Sequence, residues 1–124
     1  MSIERVVEEF VQGGGIRAVV LRSLRGPTVN IEVNAKRAFP GASLLKLPLA
    51  IAVYEQVDIQ QRVRRAELGR TAYPSILEVF DEDHEFTVGE LCRLMLATSD
   101  NPIPVHLMKL VGMDAVTATA RRLG

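Results

Sequence analysis

The first residues of the chain place hydrophobic side chains on one face of a helix. These side chains recur every three or four positions with Glu and Arg between them: Ile3, Val6, Val7, Phe10 and Val11. Three consecutive glycines, Gly13–Gly15, end the pattern, because glycine destabilises a helix. The spacing therefore predicts an amphipathic surface helix over residues 2–12.

Two stretches of β-branched and apolar residues follow the glycines. Residues 16–24 are mostly apolar, and residues 28–33 alternate apolar with polar side chains. Between them, Arg25–Pro27 contains a Gly-Pro pair, which is typical of a turn. Alternation with a period of two is the pattern of a strand with one buried face. The two stretches predict a β-hairpin with strands at 16–24 and 28–33.

The chain after residue 41 carries the spacing of helices. Thr87 and Glu90 have the separation of a capping box, in which each side chain satisfies a free backbone N–H at a helix start. Gly112 is expected to end one helix, and Asp114 is expected to cap the next. Helices are predicted at four places: near residues 43–57, 88–98, 103–111 and 115–122. No further strand is predicted, so the second half should be all helical and the fold class α+β.

Composition and charge indicate a single domain over residues 1–124. Of these residues 48% are hydrophobic, which is enough for a core without a metal or a disulfide. Lys and Arg number 15 and balance 15 Asp and Glu, so no basic excess is available for a phosphate backbone and nucleic acid is not an expected partner. The single cysteine, Cys92, lies in an apolar helical pattern and is expected to be buried.

Two further stretches bear on membranes and metals. The longest nearly apolar run, Leu44–Tyr54, is far shorter than the roughly 20 residues needed to cross a bilayer, so no membrane span is expected. The start of the chain lacks the features of a secretory signal, which indicates either a cytoplasmic protein or a removed signal. The acidic stretch Asp81–Glu85 is interpreted as a solvated loop, and neither a metal nor a cofactor is expected.

Lys46 is the residue that points to chemistry. It lies among leucines in an apolar helix, where its ammonium would lose hydration. One interpretation is that its long side chain reaches water along the helix edge. The other starts from Ser43, because side chains three residues apart on a helix share a face. A buried amine holds its proton less tightly, so Lys46 could take the proton of the Ser43 hydroxyl.

Ser99–Asn101 lies at a corner between two predicted helices. Taken alone, Ser-Asp-Asn followed by Pro102 is typical of a turn. Together with Ser43-x-x-Lys46, however, it supplies two of the three sequence motifs of class A β-lactamases and penicillin-binding proteins. The flanking residues match as well: 39–50 resembles the nucleophile helix of a serine β-lactamase, and 86–101 resembles its second catalytic element. The resemblance covers essentially the whole chain.

This resemblance implies a role for each residue of the two motifs. Ser43 would be the acylated nucleophile and Lys46 its proton partner, while Ser99 would relay a proton to the leaving nitrogen. Asn101 would hydrogen-bond Lys46 and the amide side chain of the substrate, whereas Asp100 would hold the corner. The implied substrate is a β-lactam or a peptidoglycan-like peptide.

Two features depart from the family's pattern. The third motif, Lys-Thr-Gly, is absent, and with it the glutamate loop that the family uses for deacylation. Pro102–Val105 replaces the family's small residues and Asn, which affects the polar network that supports that loop. Pro48 alone would end or kink the nucleophile helix, but the resemblance implies that the helix tolerates it. The chain is expected to be the N-terminal half of a β-lactamase-like or transpeptidase-like fold, with an N-terminal helix, a β-hairpin and a helical subdomain.

Three functional interpretations follow. The first is a β-lactamase-like serine hydrolase, weak or inactive as this chain alone. The second is a structural remnant that keeps Ser43 and Lys46 without catalysis, and the third is a penicillin-binding transpeptidase or carboxypeptidase relative. Members of this family are usually periplasmic or secreted. A hairpin with an unpaired edge also predicts association, either with another copy or with a complementing C-terminal half.

Overall fold

The computed structural model describes residues 1–124. Backbone contacts divide the chain into two compact units, residues 1–40 and residues 41–124, and each is described by itself. Five helices and four short strands make up the regular structure, which places the chain in the predicted α+β class. None of the five helices is both long enough and apolar enough to cross a membrane.

The first unit consists of a helix and a β-hairpin, as predicted. Helix α1 spans Ile3–Gln12, and the side chain of Ser2 caps its N-terminus. Strands β1 (Val19–Arg22) and β2 (Asn30–Val33) pair antiparallel. Their register places these residues opposite each other: Val19 and Val33, Val20 and Glu32, Leu21 and Ile31, Arg22 and Asn30. The strands are shorter than predicted because residues 23–29 form the connecting loop, whose ends hydrogen-bond to each other.

Four helices form most of the second unit, close to the predicted ranges. They are α2 (Lys46–Gln56), α3 (Val88–Thr98), α4 (Pro102–Val111) and α5 (Met113–Leu123). A 3₁₀ turn, Ala42–Leu45, precedes α2. Pro48 lies in the first turn of α2, where a helix tolerates the proline ring and its missing N–H. The helix therefore continues past Pro48, as the resemblance implied. The proline considered alone had predicted that the helix would end or kink there.

A second two-stranded sheet lies in this unit, so the prediction of an all-helical second half was wrong. Strand β3 (Arg62–Arg64) pairs antiparallel with β4 (Glu85–Thr87), and the central residue of each strand is buried. Two 3₁₀ turns, Arg65–Leu68 and Ile76–Val79, lie between the strands. Strands of three residues are too short to show a clear alternation of apolar and polar side chains. Only their pairing in the folded chain reveals them.

Gly112 joins α4 to α5. It ends α4 by donating its N–H to the Met108 carbonyl at 2.8 Å, and its φ of 79° is one that glycine adopts without strain. Asp114 lies inside the first turn of α5 and does not cap it, contrary to the prediction. Because Gly112 itself occupies the cap position, Asp114 instead places negative charge near the positive end of the helix dipole.

The core of the second unit lies where α2 contacts α3, α4 and α5. Its large, fully buried side chains are Leu49, Val53, Val63, Leu77, Val88, Leu91, Met95, Ile103, Leu107 and Val116. Burial of one such side chain stabilises the fold by about 1.5–3 kcal/mol. Cys92 is also fully buried, as predicted. This packing brings the C-terminal end of α3 next to the start of α2, where the predicted site residues lie.

Candidate active site

Ser43 and Lys46 lie at the start of α2. Ser43 is exposed in the Ala42–Leu45 turn, whereas Lys46 begins the α-helix and is only 9% exposed. The neighbouring Leu44 and Leu47 are exposed instead, by 69% and 53%. A lysine is buried in this way only when polar groups surround its ammonium. The structure therefore excludes the interpretation that Lys46 reaches bulk water along the helix edge.

Ser99 lies at the corner that joins α3 to α4. It ends α3 with φ 57° and ψ 29°, a left-handed conformation that costs a non-glycine residue roughly 1–2 kcal/mol. Ala42, directly before Ser43, also has a positive φ of 43°. Strained backbone of this kind concentrates at functional sites, where surrounding contacts hold it in place. Each of the two segments that meet here contains one such residue.

The hydroxyl of Ser99 links Ser43 to Lys46. The Oγ atoms of Ser43 and Ser99 lie 2.8 Å apart, and Lys46 Nζ donates to Ser99 Oγ at 2.9 Å. Lys46 Nζ also donates to the backbone carbonyl of Ser99 and, in a weaker contact at 3.5 Å, to Asn101 Oδ1. Three oxygen acceptors match the three N–H groups of an ammonium. The lysine is thus buried among uncharged oxygens and without a carboxylate.

All four residues predicted for the site are brought together by the fold: Ser43, Lys46, Ser99 and Asn101. Ser43 and Lys46 are connected through Ser99 and not by a direct hydrogen bond. Helical spacing accounts for their common face, but Ser43 lies in a 3₁₀ turn and Lys46 in an α-helix. Only the packing of the α3–α4 corner against this junction puts Ser99 between them. The catalytic roles inferred for these residues stay predictions.

Asp100 holds the corner between α3 and α4, as the resemblance implied. It is 4% exposed, and its carboxylate accepts hydrogen bonds from Ser75 Oγ at 2.6 Å, from the Ile76 N–H at 3.0 Å and from the Ile103 N–H at 3.4 Å. The first two partners were not predicted. The available signal was a serine before a short apolar run, which is the pattern of an N-cap, and Ser75 does cap the Ile76–Val79 turn.

In the acidic stretch Asp81–Glu85, residues 81–84 form a loop and Glu85 begins β4. The ring of His84 packs against Phe80 and Phe86, with centroid distances of 4.7 Å and 4.6 Å. No group of three or more His, Cys, Asp or Glu side chains in residues 1–124 is placed to hold a metal ion. The hydrogen bonds of the site described above join hydroxyl, amine, amide and backbone carbonyl groups.

The arrangement of these groups can move a proton away from Ser43. Its hydroxyl can donate to Ser99 Oγ, and Ser99 can donate in turn to Lys46 Nζ when that amine is neutral. Ser43 is exposed, so a reacting group can approach from solvent. Its backbone N–H belongs to the first turn of the helical segment, where N–H groups have no partner within the turn. This N–H therefore remains available as a hydrogen-bond donor.

Comparisons with known proteins bear on the family and the fold of this chain. Residues 2–124 match the model of the beta-lactamase enzyme family. The chain is similar to the crystal structure of the beta-lactamase from Sphaerobacter thermophilus, with 29% sequence identity and a TM-score of 0.75 over 93% of this chain. It is also similar in fold to the extended-spectrum beta-lactamase TLA-1, with 21% identity and a TM-score of 0.76 over 97% of this chain. The chain spans 44% and 47% of those two proteins, which is about half their length.

Proposed function

The chain belongs to the beta-lactamase enzyme family, and we propose that its Ser43 hydroxyl forms an acyl-enzyme with β-lactams. The observation that carries the proposal is the Ser99 hydroxyl, which lies 2.8 Å from Ser43 Oγ and 2.9 Å from Lys46 Nζ. A serine hydroxyl is a weak nucleophile unless a nearby base takes its proton. The bridging hydroxyl supplies a route for that proton.

The proposed acylation requires the neutral form of Lys46, whose amine is then the final proton acceptor. As Ser43 Oγ attacks the lactam carbonyl carbon, its proton moves to Ser99 Oγ, and the Ser99 proton moves to Lys46 Nζ. The lactam C–N bond then breaks, and the Lys46 ammonium returns a proton through Ser99 to the leaving nitrogen. One ester bond has formed, one amide bond has broken, and the serine proton is on the nitrogen. A positioned general base typically contributes about 10²–10⁴-fold to such a step.

Asn101 and the Ser43 backbone N–H have supporting roles in the proposed site. Asn101 Oδ1 faces Lys46, so its side-chain NH₂ group is left to bind the amide side chain of the substrate. The Ser43 N–H donates to the carbonyl oxygen as negative charge develops there. Peptidoglycan-like peptides present the same carbonyl and nitrogen atoms and are the second substrate class to test.

We expect residues 1–124 to form a long-lived adduct with little turnover. Hydrolysis of the ester needs a base that activates water, whereas the hydrogen-bond partners of Ser43 and Lys46 are hydroxyl, carbonyl and amide groups. Asp100, the carboxylate that directly follows Ser99 in sequence, is engaged by three donors at the corner. Acylation should therefore outpace deacylation.

Intact-mass spectrometry after incubation with a reporter β-lactam tests this proposal. We expect a mass increase of one β-lactam per chain. Ser43→Ala should remove the adduct, whereas Ser23→Ala, which changes another exposed serine, should retain it. An adduct that survives Ser43→Ala would show reaction at another residue. No adduct on the unsubstituted chain would contradict the proposal and support the structural-remnant interpretation.

A further inference from the structure

Arg65 is a buried cation that the proposed reaction does not use. It is 5% exposed and takes part in none of the chain's five ion pairs. A guanidinium removed from water without a carboxylate partner is costly, so its hydrogen bonds need to compensate. Its backbone N–H donates to the His84 carbonyl at 2.8 Å, and its Nε donates to the Leu77 carbonyl at 2.8 Å. Arg65 thus joins the end of the β3–β4 sheet to the Ile76–Val79 turn.

A continuous series of hydrogen bonds leads from this turn to Asp100. Leu77, whose carbonyl accepts from Arg65, also donates a hydrogen bond. Its N–H donates to Ser75 Oγ at 3.1 Å. Ser75 Oγ donates in turn to Asp100 Oδ2 at 2.6 Å, and the Ile76 N–H donates to the same oxygen at 3.0 Å. Asp100 is buried, whereas Ser75 is half-buried and Ile76 is exposed, so the series runs from the surface to a buried carboxylate. The series ends on the residue that directly follows Ser99.

We infer that Arg65 is a positioning residue for Ser99, an inference that rests on the proposed function. Arg65 holds the Ile76–Val79 turn against Asp100, and Asp100 keeps Ser99 in its strained left-handed conformation. Without that hold, Ser99 relaxes toward a negative φ, and its hydroxyl leaves the position between the nucleophile and the amine. In this inference Arg65, at the end of the β3–β4 sheet, influences the position of Ser99 although the two residues are distant in sequence.

Two neighbouring arginines provide the test and its control. Arg65→Met removes the Nε donor and keeps an unbranched side chain, whereas Arg64→Met changes the adjacent, exposed arginine. The rate constant of adduct formation is measured against β-lactam concentration. We expect Arg65→Met to lower the limiting rate by about tenfold to a hundredfold, with the half-saturating concentration unchanged. Arg64→Met should change neither quantity, and equal rates in the two variants would overturn the inference.

Amide hydrogen exchange distinguishes a local effect of Arg65→Met on the Ile76–Val79 turn from a general loss of stability. In Arg65→Met we expect faster exchange at Ile76, whose N–H bonds Asp100, and unchanged exchange at Leu91 in the core. The same acceleration at Leu91 would overturn the inference, because Arg65 would then only stabilise the fold. If Arg65→Met fails to fold, Ser75→Ala is used instead. It removes the hydrogen bond from Ser75 Oγ to Asp100, and we expect the same changes in rate and exchange.

The proposed function and this inference can fail separately. If the unsubstituted chain forms no adduct, the proposed function fails, and exchange at Ile76 alone decides whether Arg65 holds the turn. If the adduct forms and Arg65→Met matches the unsubstituted chain in rate and exchange, only the positioning role fails. The double variant of Arg65 and Ser75 should lose little more rate than either single variant, because both break one series of bonds. Fully additive losses would overturn the inference.

Discussion

At the level of single residues, Lys46 is the proposed proton acceptor of the site. Its amine faces oxygen atoms of Ser99 and Asn101 and is largely removed from water. Lys36, in contrast, is exposed. A lysine that only fills space would affect stability when replaced, whereas a proton acceptor would affect the rate of acylation. Replacement of Lys46 and of Lys36 by the same residue therefore compares a buried lysine of the site with an exposed lysine.

Lys46→Met is expected to lower the rate of adduct formation by about 10²–10⁴-fold, because the proton of Ser43 then has no acceptor beyond Ser99. Methionine is unbranched and apolar, so the variant should still fold. Lys36→Met should react at the rate of the unsubstituted chain. Time courses of adduct mass measure both variants, and an unchanged rate in Lys46→Met would show that another group takes the proton.

Cys92 should be unreactive in the folded chain. Burial raises the pKa of its thiol to about 11 from an ordinary value of 9.0, and only the thiolate reacts with disulfide reagents. Because the folded-state pKa is the higher one, the stabilising contribution is complete below pH 9.0 and is lost as the pH rises toward 11. At pH 8 we expect a thiol reagent to modify the folded chain far more slowly than the denatured chain. Equal rates would contradict the burial.

At the level of elements, helix α3 begins at a complete capping box. Thr87 Oγ1 accepts from the Glu90 N–H at 3.1 Å, and Glu90 Oε2 accepts from the Thr87 N–H at 2.7 Å. The backbone hydrogen bond from Thr87 is the main cause that lowers the pKa of Glu90 below its ordinary value of 4.5. Ser99 lies at the other end of α3, so the stability of the helix start affects the position of Ser99.

Thr87→Ala is expected to lower the free energy of unfolding by about 0.5–2 kcal/mol, because it leaves the Glu90 N–H at the helix start without its side-chain acceptor. Thr87→Ser keeps the hydroxyl and should retain most of the stability. Urea denaturation at neutral pH measures both variants. Equal losses in the two variants would show that the methyl group, and not the hydrogen bond, stabilises the helix.

The capping carboxylate also predicts a dependence on pH. Since the folded-state pKa of Glu90 lies below 4.5, its contribution is present above that value and is lost as the pH falls through the folded-state pKa. The stability difference between the unsubstituted chain and Glu90→Gln should therefore shrink as the solution is acidified from pH 7 to pH 3. Denaturation curves along that series test it. A difference that stays constant with pH would contradict the role of the ionised carboxylate.

At the level of the whole molecule, the first unit raises the question of association. Strands β1 and β2 form a sheet of two, so the outer edge of each strand has no partner strand in the structure. A hairpin alone is marginally stable in water, and an open edge is a template for another strand. Arg22 and Glu32 place charge on the hairpin, joined by an ion pair of 2.7 Å, while Val20 remains 55% exposed.

We expect the chain to associate at micromolar concentration, through another copy or through a complementing chain. Light scattering should give a mass above 13.7 kDa that falls on dilution. Val20→Lys adds charge to the hairpin and should shift the equilibrium toward the monomer, whereas Arg22→Lys keeps the charge and should not. A constant mass of 13.7 kDa with cooperative unfolding would contradict association.

Local sequence patterns were enough to predict the helices, the hairpin and the residues of the candidate site. Helical periodicity, the capping box at Thr87 and the Gly-Pro turn act over a few residues, and the structure contains the elements that they predict. The motifs at Ser43–Lys46 and Ser99–Asn101 pointed to the four residues that the fold brings together. Local patterns of this kind can be recognised in the sequence because the interactions behind them join residues that are close together in the chain.

The hydrogen bonds that connect those residues depend on tertiary packing. Ser99 lies between Ser43 and Lys46 across 56 and 53 positions of the chain, and Asp100 meets Ser75 across 25. The pairing of β3 with β4 joins residues that are 21 to 25 positions apart, and these three-residue strands carry no pattern of their own. Contacts between distant segments form when the whole core packs, because their free energy depends on which surfaces that packing brings together. No stretch of the sequence contains that information by itself.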